Sequence, residues 1–129
     1  MLTDSEIIST LEMLENENLD VRTVTLGISL LDCASHDAAK VKSKIYSKIM
    51  HFAENLVPFC DRIGKKYGIP VVNKRVAVSP IAVVGAALSS AQQVDIAMTL
   101  NDVAREVHVD FIGGFSALVQ KGIARGDHA

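Results

Sequence analysis

Two segments of alternating side chains, residues 21–30 and 71–79, constrain the fold of this chain more than any other feature. The first has aliphatic residues on one face and, on the opposite face, Thr23, Thr25, Gly27 and Ser29. The second opposes valines at 72, 76 and 78 to Asn73, Arg75, Ala77 and Ser79. Successive side chains of a strand point to opposite faces, so each segment is predicted to be a strand with one dry face and one polar face. A small polar face of this kind is typical of a binding cavity.

Composition describes an ordinary globular domain with an aliphatic core. The 129 residues are 49% hydrophobic and 22% charged, and the net charge of −2 gives no reason to expect nucleic acid, which needs a basic face. Two cysteines without CxxC spacing and four scattered histidines predict no metal site and favour a cytoplasmic location. Residues 76–94 are uncharged, but Ser79-Pro80 and several polar residues interrupt them, so we expect no membrane span.

Helical patterns precede the first strand and separate it from the second. Thr3 and Glu6 form a capping box, which predicts a helix that ends near residue 16. An apolar stripe over residues 41–63 predicts a long helix, and Pro58 should kink or break it because proline lacks a backbone N–H donor. Gly68 and Pro70 predict the end of this helix. We expect the helix to cover the aliphatic strand faces through Ile45, Ile49 and Phe52.

The second half of the chain repeats the alternation of strand and helix. Ser79-Pro80 predicts a helix cap followed by proline at the first helical position. After a short helix of small residues, a longer one over residues 91–107 should turn inward Val94, Leu100, Val103 and Val107. A third strand is predicted over residues 109–112. The fold class is therefore α/β with parallel neighbouring strands, and residues 1–129 are predicted to form a single but incomplete α/β unit.

Three motifs that span nearly the whole chain in order carry a family resemblance. They are NLDVRTVTLGISLLDC at residues 18–33, YGIPVVNKRVAVSPIA at 67–82 and VDFIGGFSALVQKG at 109–122. The chain resembles the PFL-like uncharacterised protein family 0210. The resemblance implies that these residues are the N-terminal portion of a larger α/β barrel related to glycyl radical enzymes and assembled as a homodimer. It implies no activity and no cofactor, and Gly113-Gly114 does not match the radical glycine pattern.

Candidate ligand-binding residues lie on the polar strand faces and at the carboxyl ends of the strands, where parallel α/β folds hold their ligands. They are Arg22, Thr23, Thr25, Asn73, Arg75, Ser79, Gly113, Gly114 and Ser116. Free amides at helix starts favour anions, and Arg22, Lys74 and Arg75 add positive charge, so a phosphate or carboxylate is the predicted ligand. The alternative interpretation is that Arg75 pairs with an acidic residue inside the missing part of the barrel, while Ser79 is only a helix cap.

Three functions stay open from the residues alone. The first is an enzyme that acts on a small anionic metabolite in a barrel cavity, and the second is a non-catalytic ligand-sensing or regulatory module. The third is a structural part of a larger assembly, either a homo-oligomer or the remainder of a longer chain. Cys33 is interpreted as a small buried hydrophobe, and Lys40, Lys44 and Lys48 as a solvated helix face. No residue is assigned a catalytic role, and no reaction or cofactor is named.

Overall fold

The computed structural model describes residues 3–16, 20–117, 119, 122–123 and 127 of the chain. Its strands are β1 (Val21–Ile28), β2 (Val71–Val78) and β3 (Phe111–Gly113). Its helices are α1 (Asp4–Glu15), α2 (Ala38–Ala53), α3 (Leu56–Tyr67), α4 (Ile81–Val84) and α5 (Ser90–Glu106), with a short 3-10 turn at Leu31–Cys33. Helices and strands alternate, which confirms the predicted α/β class.

The strands form one parallel sheet in the order β1-β2-β3. The register places Thr23 beside Asn73 and Thr25 beside Arg75, and Arg75 in turn lies beside Phe111. Side chains at paired positions of a sheet share a face, so the prediction that the two polar strand faces point the same way is confirmed. Within the described residues the sheet is open and does not close into a barrel.

The aliphatic face of the sheet is covered by helices and holds the core. Ile28 and Val76 are buried there together with residues of α2, of α5 and of the C-cap of α5, namely Val41, Ile45, Ile49, Ile96, Leu100, Val103 and Val107 of the same cluster. These helix residues recur at spacings of three and four, so each helix presents one continuous apolar stripe to the sheet and to the other helix. Burial of this stripe is the main contribution to the stability of the fold.

Two residues predicted to point inward are exposed instead. Phe52 is 54% exposed and Val94 is 59% exposed. In α2 the inward position that follows Ile49 by one turn belongs to Ala53, which is fully buried, and Phe52 lies to its side. In α5 the inward position one turn before Ile96 belongs to Gln93, which is buried. Its side-chain amide donates to the Gly85 carbonyl at 3.3 Å. In each helix, the residue next to the expected one therefore occupies the buried position.

Helix ends follow the local signals closely. The predicted break at Pro58 lies between α2 and α3, at residues 54–55, because a proline ring crowds the carbonyl four residues before it and donates no hydrogen bond to it. Gly68 ends α3 in the left-handed conformation with φ of 71°. Thr3 and Glu6 form the predicted capping box of α1, and the Asp37 carboxylate caps α2 by accepting from the Ala39 amide at 3.0 Å.

The third strand begins two residues later than predicted. Val109 still belongs to the end of α5, because its amide donates to the Ala104 carbonyl at 3.2 Å and that of His108 to the Arg105 carbonyl at 3.3 Å. This pair of bonds is a Schellman motif, and it places His108 in the left-handed region with φ of 58°. The strand can start only after the motif is complete.

Candidate functional site

One face of the sheet carries no helix and is called the open face. Its side chains are Val21, Thr23, Thr25 and Gly27 of β1, Val71, Asn73, Arg75 and Ala77 of β2, and Phe111 and Gly113 of β3. The parallel register arranges them in rows across the sheet, with Thr25, Arg75 and Phe111 in one row. Five of the predicted candidates, on three strands, are thus brought to a common surface, namely Thr23, Thr25, Asn73, Arg75 and Gly113.

Arg75 is the charged centre of the open face. Its guanidinium lies 6.0 Å from the centre of the Phe111 ring, a distance at which a cation and an aromatic face attract one another. The ion pairs among the described residues involve other cations, and no acidic side chain lies at an open-face strand position. The alternative interpretation places the acidic partner of Arg75 in the missing part of the barrel, outside these residues, and it stays a prediction. An exposed arginine of this kind is available to a ligand.

The row next to Arg75, toward the carboxyl ends of the strands, consists of small residues. It contains Gly27, Ala77 and Gly113. A Cβ atom built on Gly27 would meet nothing within 4 Å, whereas one on Gly113 would lie 3.1 Å from the Phe111 ring. The ring therefore leans over Gly113, and the surface above Gly27 and Ala77 is free.

Two cations that were expected beside Arg75 lie on the other face of the sheet. Arg22 precedes Thr23, so its side chain points to the helix side, while its carbonyl accepts from the Asn73 side-chain amide at 3.0 Å. Lys74 also points to the helix side and pairs with Asp61 at 3.3 Å. The strand alternation that gathers Thr25 and Arg75 on one face necessarily sends both of these charges to the opposite one.

The carboxyl edge of the sheet is closed by hydrogen bonds within the chain. Ser79 does not cap α4, because Pro80 occupies that position and the Ser79 hydroxyl accepts from the Leu30 amide at 3.0 Å. The first amides of α4, at Ile81 and Ala82, donate to backbone carbonyls of Gly114 and Ser116 at 2.9 and 3.3 Å. These amides were predicted to receive an anion, and in the structure they are already satisfied.

Gly114 holds the loop after β3 against this edge. Its φ of 129° lies in a region that other residues rarely adopt, and a Cβ atom there would lie 2.5 Å from the Val78 carbonyl oxygen. Beside this loop a cleft of about 170 Å³ lies between α4 and Ser116 and is lined by Ile81, Ala82, Gln93, Phe115, Ser116, Ala117 and Asp127. Gly114 and Ser116 therefore shape the rim of the sheet and lie beyond the open-face rows.

A charged cluster that was not predicted lies at the carboxyl end of β1. The ammonium group of Lys48 contacts the Asp32 carboxylate, and that of Lys44 donates to the Asp32 carbonyl at 3.3 Å. The hydrogen bond from Lys48 lowers the pKa of Asp32 below its usual range. Lys48 is half-buried in this contact, whereas Lys44 stays exposed, as does Lys40 close to Asp37. The interpretation of a solvated helix face is therefore confirmed for Lys40 and Lys44. No short sequence motif indicates a contact between residues so far apart in the chain.

The two cysteines of the chain are structural. Cys33 and Cys60 are 2% and 4% exposed, and burial raises the pKa of both thiols. For Cys33 the negative charge of Asp32 adds to this effect. A protonated, buried thiol is a poor nucleophile, so the interpretation of Cys33 as a small buried hydrophobe is confirmed.

Neither a metal-binding group nor a membrane-spanning helix occurs in the described part of the chain. No three His, Cys, Asp or Glu side chains of the described residues come together as a possible metal-binding set. Among the same residues, no helix has both the length and the apolar character needed to cross a bilayer.

Comparison with known proteins places the chain among uncharacterised relatives. A family model described as Uncharacterised ACR (DUF711) matches residues 12–129. The chain is similar to the UPF0210 proteins of Syntrophobacter fumaroxidans and Desulfovibrio desulfuricans, with 60% and 57% identity over 129 residues. Both matches cover 100% of this chain. The chain is also 50% identical over 127 residues, 98% of its length, to the UPF0210 protein of Clostridium perfringens. The chain spans about 28% of the length of these curated relatives.

Proposed function

Because the chain belongs to the family described as Uncharacterised ACR (DUF711), a description that carries no activity, we propose its function from geometry. The open face lines a binding site for a small anion, a phosphate or a carboxylate, and Arg75 is its main anchor. The observation that carries this proposal is the exposed Arg75 guanidinium in the middle of the face, without a carboxylate partner among the described residues.

The neighbours of Arg75 support a bound anion. Thr25 lies beside it in the register and offers a hydroxyl donor, and Asn73 lies one row away with a side-chain amide. A guanidinium can form two parallel hydrogen bonds with a carboxylate or phosphate, which adds geometric specificity to the charge attraction. The free surface above Gly27 and Ala77 leaves room for the body of the ligand next to its anionic group.

An anion site on the strands is favoured over one at the start of a helix. The amides of Ile81 and Ala82 are bonded to carbonyls, so the anion is held on the strands by Arg75 and Thr25. Asp32 and Cys33, whose pKa values are displaced, lie at the end of β1 and away from the open-face rows. The site proposed here therefore supplies recognition, as in a ligand-sensing module. In an enzyme, the same site would hold an anionic metabolite while groups elsewhere in the protein perform the chemistry.

The wider setting of the site is part of the same proposal. The relatives are several times longer than this chain, and a sheet with one uncovered polar face fits the lining of a larger α/β barrel of the glycyl-radical-enzyme type. In that setting residues 1–129 would be its N-terminal unit, in a cytoplasmic, homodimeric protein.

The test is a calorimetric titration with inorganic phosphate and with a small dicarboxylate, comparing the wild type with Arg75→Met. Charge-assisted hydrogen bonds contribute about 1.5–3 kcal/mol, so loss of Arg75 should weaken binding by roughly 10- to 150-fold. Arg22→Met is the matched control, because Arg22 is also an exposed strand arginine but points to the opposite face.

Binding by Arg22→Met should stay within about 2-fold of the wild type, since a charge on the far side of the sheet is partly screened by salt. Equal affinity of Arg75→Met and wild type, with an unchanged circular dichroism spectrum, would refute the proposal. Turnover of a bound metabolite by the wild type, followed by NMR, separates the enzyme from the sensor.

A further inference from the structure

Phe111 gives the open face an aromatic side chain next to its charged centre. The following residue, Ile112, packs against the core on the helix side of the sheet, so Phe111 points to the open face. Phe111 is 58% exposed there. The ring leans along β3, because a Cβ atom built on Gly113 would lie 3.1 Å from one of the ring carbons. Much of this apolar side chain is therefore available to a ligand.

The row that contains Phe111 places a hydroxyl donor, a cation and an aromatic ring side by side. Thr25, Arg75 and Phe111 belong to three neighbouring strands. Neighbouring strands lie about 4.8 Å apart, so the row spans roughly 10 Å from one outer strand to the other. A ligand made of one aromatic ring and one carboxylate fits within this span.

The spacing of Arg75 and Phe111 suits a carboxylate that is joined directly to an aromatic ring. The guanidinium carbon of Arg75 lies 6.0 Å from the centre of the Phe111 ring. A guanidinium holds a carboxylate by two parallel hydrogen bonds, and aromatic rings attract one another at centre distances of about 4.5–7 Å. One ligand can meet both conditions when no flexible chain separates its ring from its carboxylate. The Thr25 hydroxyl, on the other side of Arg75, can donate to the same carboxylate.

Space for the ring of such a ligand is present beside this row. Gly27 and Ala77 are exposed and lie one row further toward the carboxyl ends of the strands. Because their side chains are absent or small, a flat ring can lie close to the backbone and still touch Phe111.

We propose that the open face selects aromatic carboxylates and that Phe111 determines this selectivity. The inference rests on the anion site proposed above and adds the chemical class of its ligand. An aliphatic carboxylate is held by Arg75 and Thr25, whereas an aromatic carboxylate also gains the contact with Phe111. That contact should raise the affinity by roughly 2- to 10-fold beyond the effect of the apolar area that is buried.

NMR titrations of the full chain with acetate, cyclohexanecarboxylate and benzoate test this selectivity. The wild type should bind benzoate at least ~10-fold more tightly than acetate and at least ~2-fold more tightly than cyclohexanecarboxylate, because only benzoate adds both apolar area and an aromatic contact. Phe111→Leu keeps an apolar side chain without a ring, so benzoate should lose its advantage over cyclohexanecarboxylate. Acetate binding by this variant should stay within ~2-fold of the wild type. Phe111→Tyr keeps the ring and should keep the preference for benzoate.

Val72→Ile is the control for a changed side chain on the same sheet. Val72 is 43% exposed and points to the helix side, so this variant should bind benzoate within ~2-fold of the wild type. The circular dichroism spectrum checks the fold of each variant. Should Phe111→Leu fail to fold, Phe111→Met carries the same expectation.

Arg75→Met distinguishes failure of the selectivity from failure of the anion site. This variant should weaken the binding of all three probes, because each of them places its carboxylate on Arg75. Acetate binding that Arg75→Met leaves unchanged would refute the anion site itself, and the selectivity with it. Acetate bound through Arg75, with benzoate no tighter than cyclohexanecarboxylate, would overturn the selectivity and leave the anion site in place. A preference for benzoate that survives in Phe111→Leu would do the same.

Discussion

Replacement of Gly114 by alanine tests the closure of the carboxyl edge of the sheet. The new methyl group would lie 2.5 Å from the Val78 carbonyl oxygen and 2.6 Å from its Cγ2 atom. The first distance cannot be relieved by rotating a side chain, because the oxygen atom belongs to the backbone of β2. The loop after β3 must therefore move, and the bond from the Ile81 amide to the Gly114 carbonyl moves with it.

The magnitude follows from two costs. A non-glycine residue at φ of 129° is strained by about 1–3 kcal/mol, and overpacking against β2 adds about 1–3 kcal/mol. We expect the free energy of unfolding to fall by about 2–6 kcal/mol, a large part of the 5–15 kcal/mol typical of a small domain. The midpoint of urea unfolding, followed by circular dichroism at 222 nm, measures this change.

Gly27→Ala is the matched control on the same sheet. A Cβ atom at Gly27 meets nothing within 4 Å, and alanine in a strand loses less chain entropy than glycine. The stability of this variant should be unchanged or higher by up to about 1 kcal/mol. If Gly114→Ala were as stable as Gly27→Ala, the assigned packing of the loop against Val78 would be wrong.

Two further predictions concern local features. His108→Gly should raise the free energy of unfolding by about 1 kcal/mol, because glycine adopts the left-handed position of the Schellman motif without strain; an unchanged urea midpoint would contradict this. The pKa of Asp32 is lowered in the folded protein, so its pairing with Lys48 stabilises the fold at pH values above its ordinary pKa of 3.8. This stabilisation is lost as the pH falls through the lower pKa of the folded state. Lys48→Met should therefore be less stable than the wild type at neutral pH, and the difference should disappear in acid; an equal difference at all pH values would contradict the assignment.

Local signals in the sequence were sufficient for the elements of the fold. The capping box at Thr3, the break caused by Pro58 and the end at Gly68 each depend on residues within one or two turns. Strand alternation also identified which side chains share a face in β1 and in β2. The errors at Phe52 and Val94 are displacements of one residue, because an apolar stripe is wider than the line of residues that is finally buried.

The candidate site was predicted only in part, because its geometry depends on contacts between distant residues. Thr23, Thr25, Asn73 and Arg75 share one surface as predicted, but Phe111 was missed because a short strand carries little alternation. The Ser79-Pro80 pair predicts a helix cap at Ser79, yet the Ser79 hydroxyl accepts a hydrogen bond from the Leu30 amide, just beyond the end of β1.

The sequence by itself determined the α/β class, the polar and aliphatic faces of the strands and most helix ends, because each is set by periodicity or by bonds within a few residues. Only the tertiary structure decided that Arg75 lies between Thr25 and Phe111 and that backbone carbonyls occupy the amides of α4. It also decided that α1 turns its apolar side outward. These outcomes depend on strand register and on packing between segments far apart in the chain, and no local pattern encodes either of them.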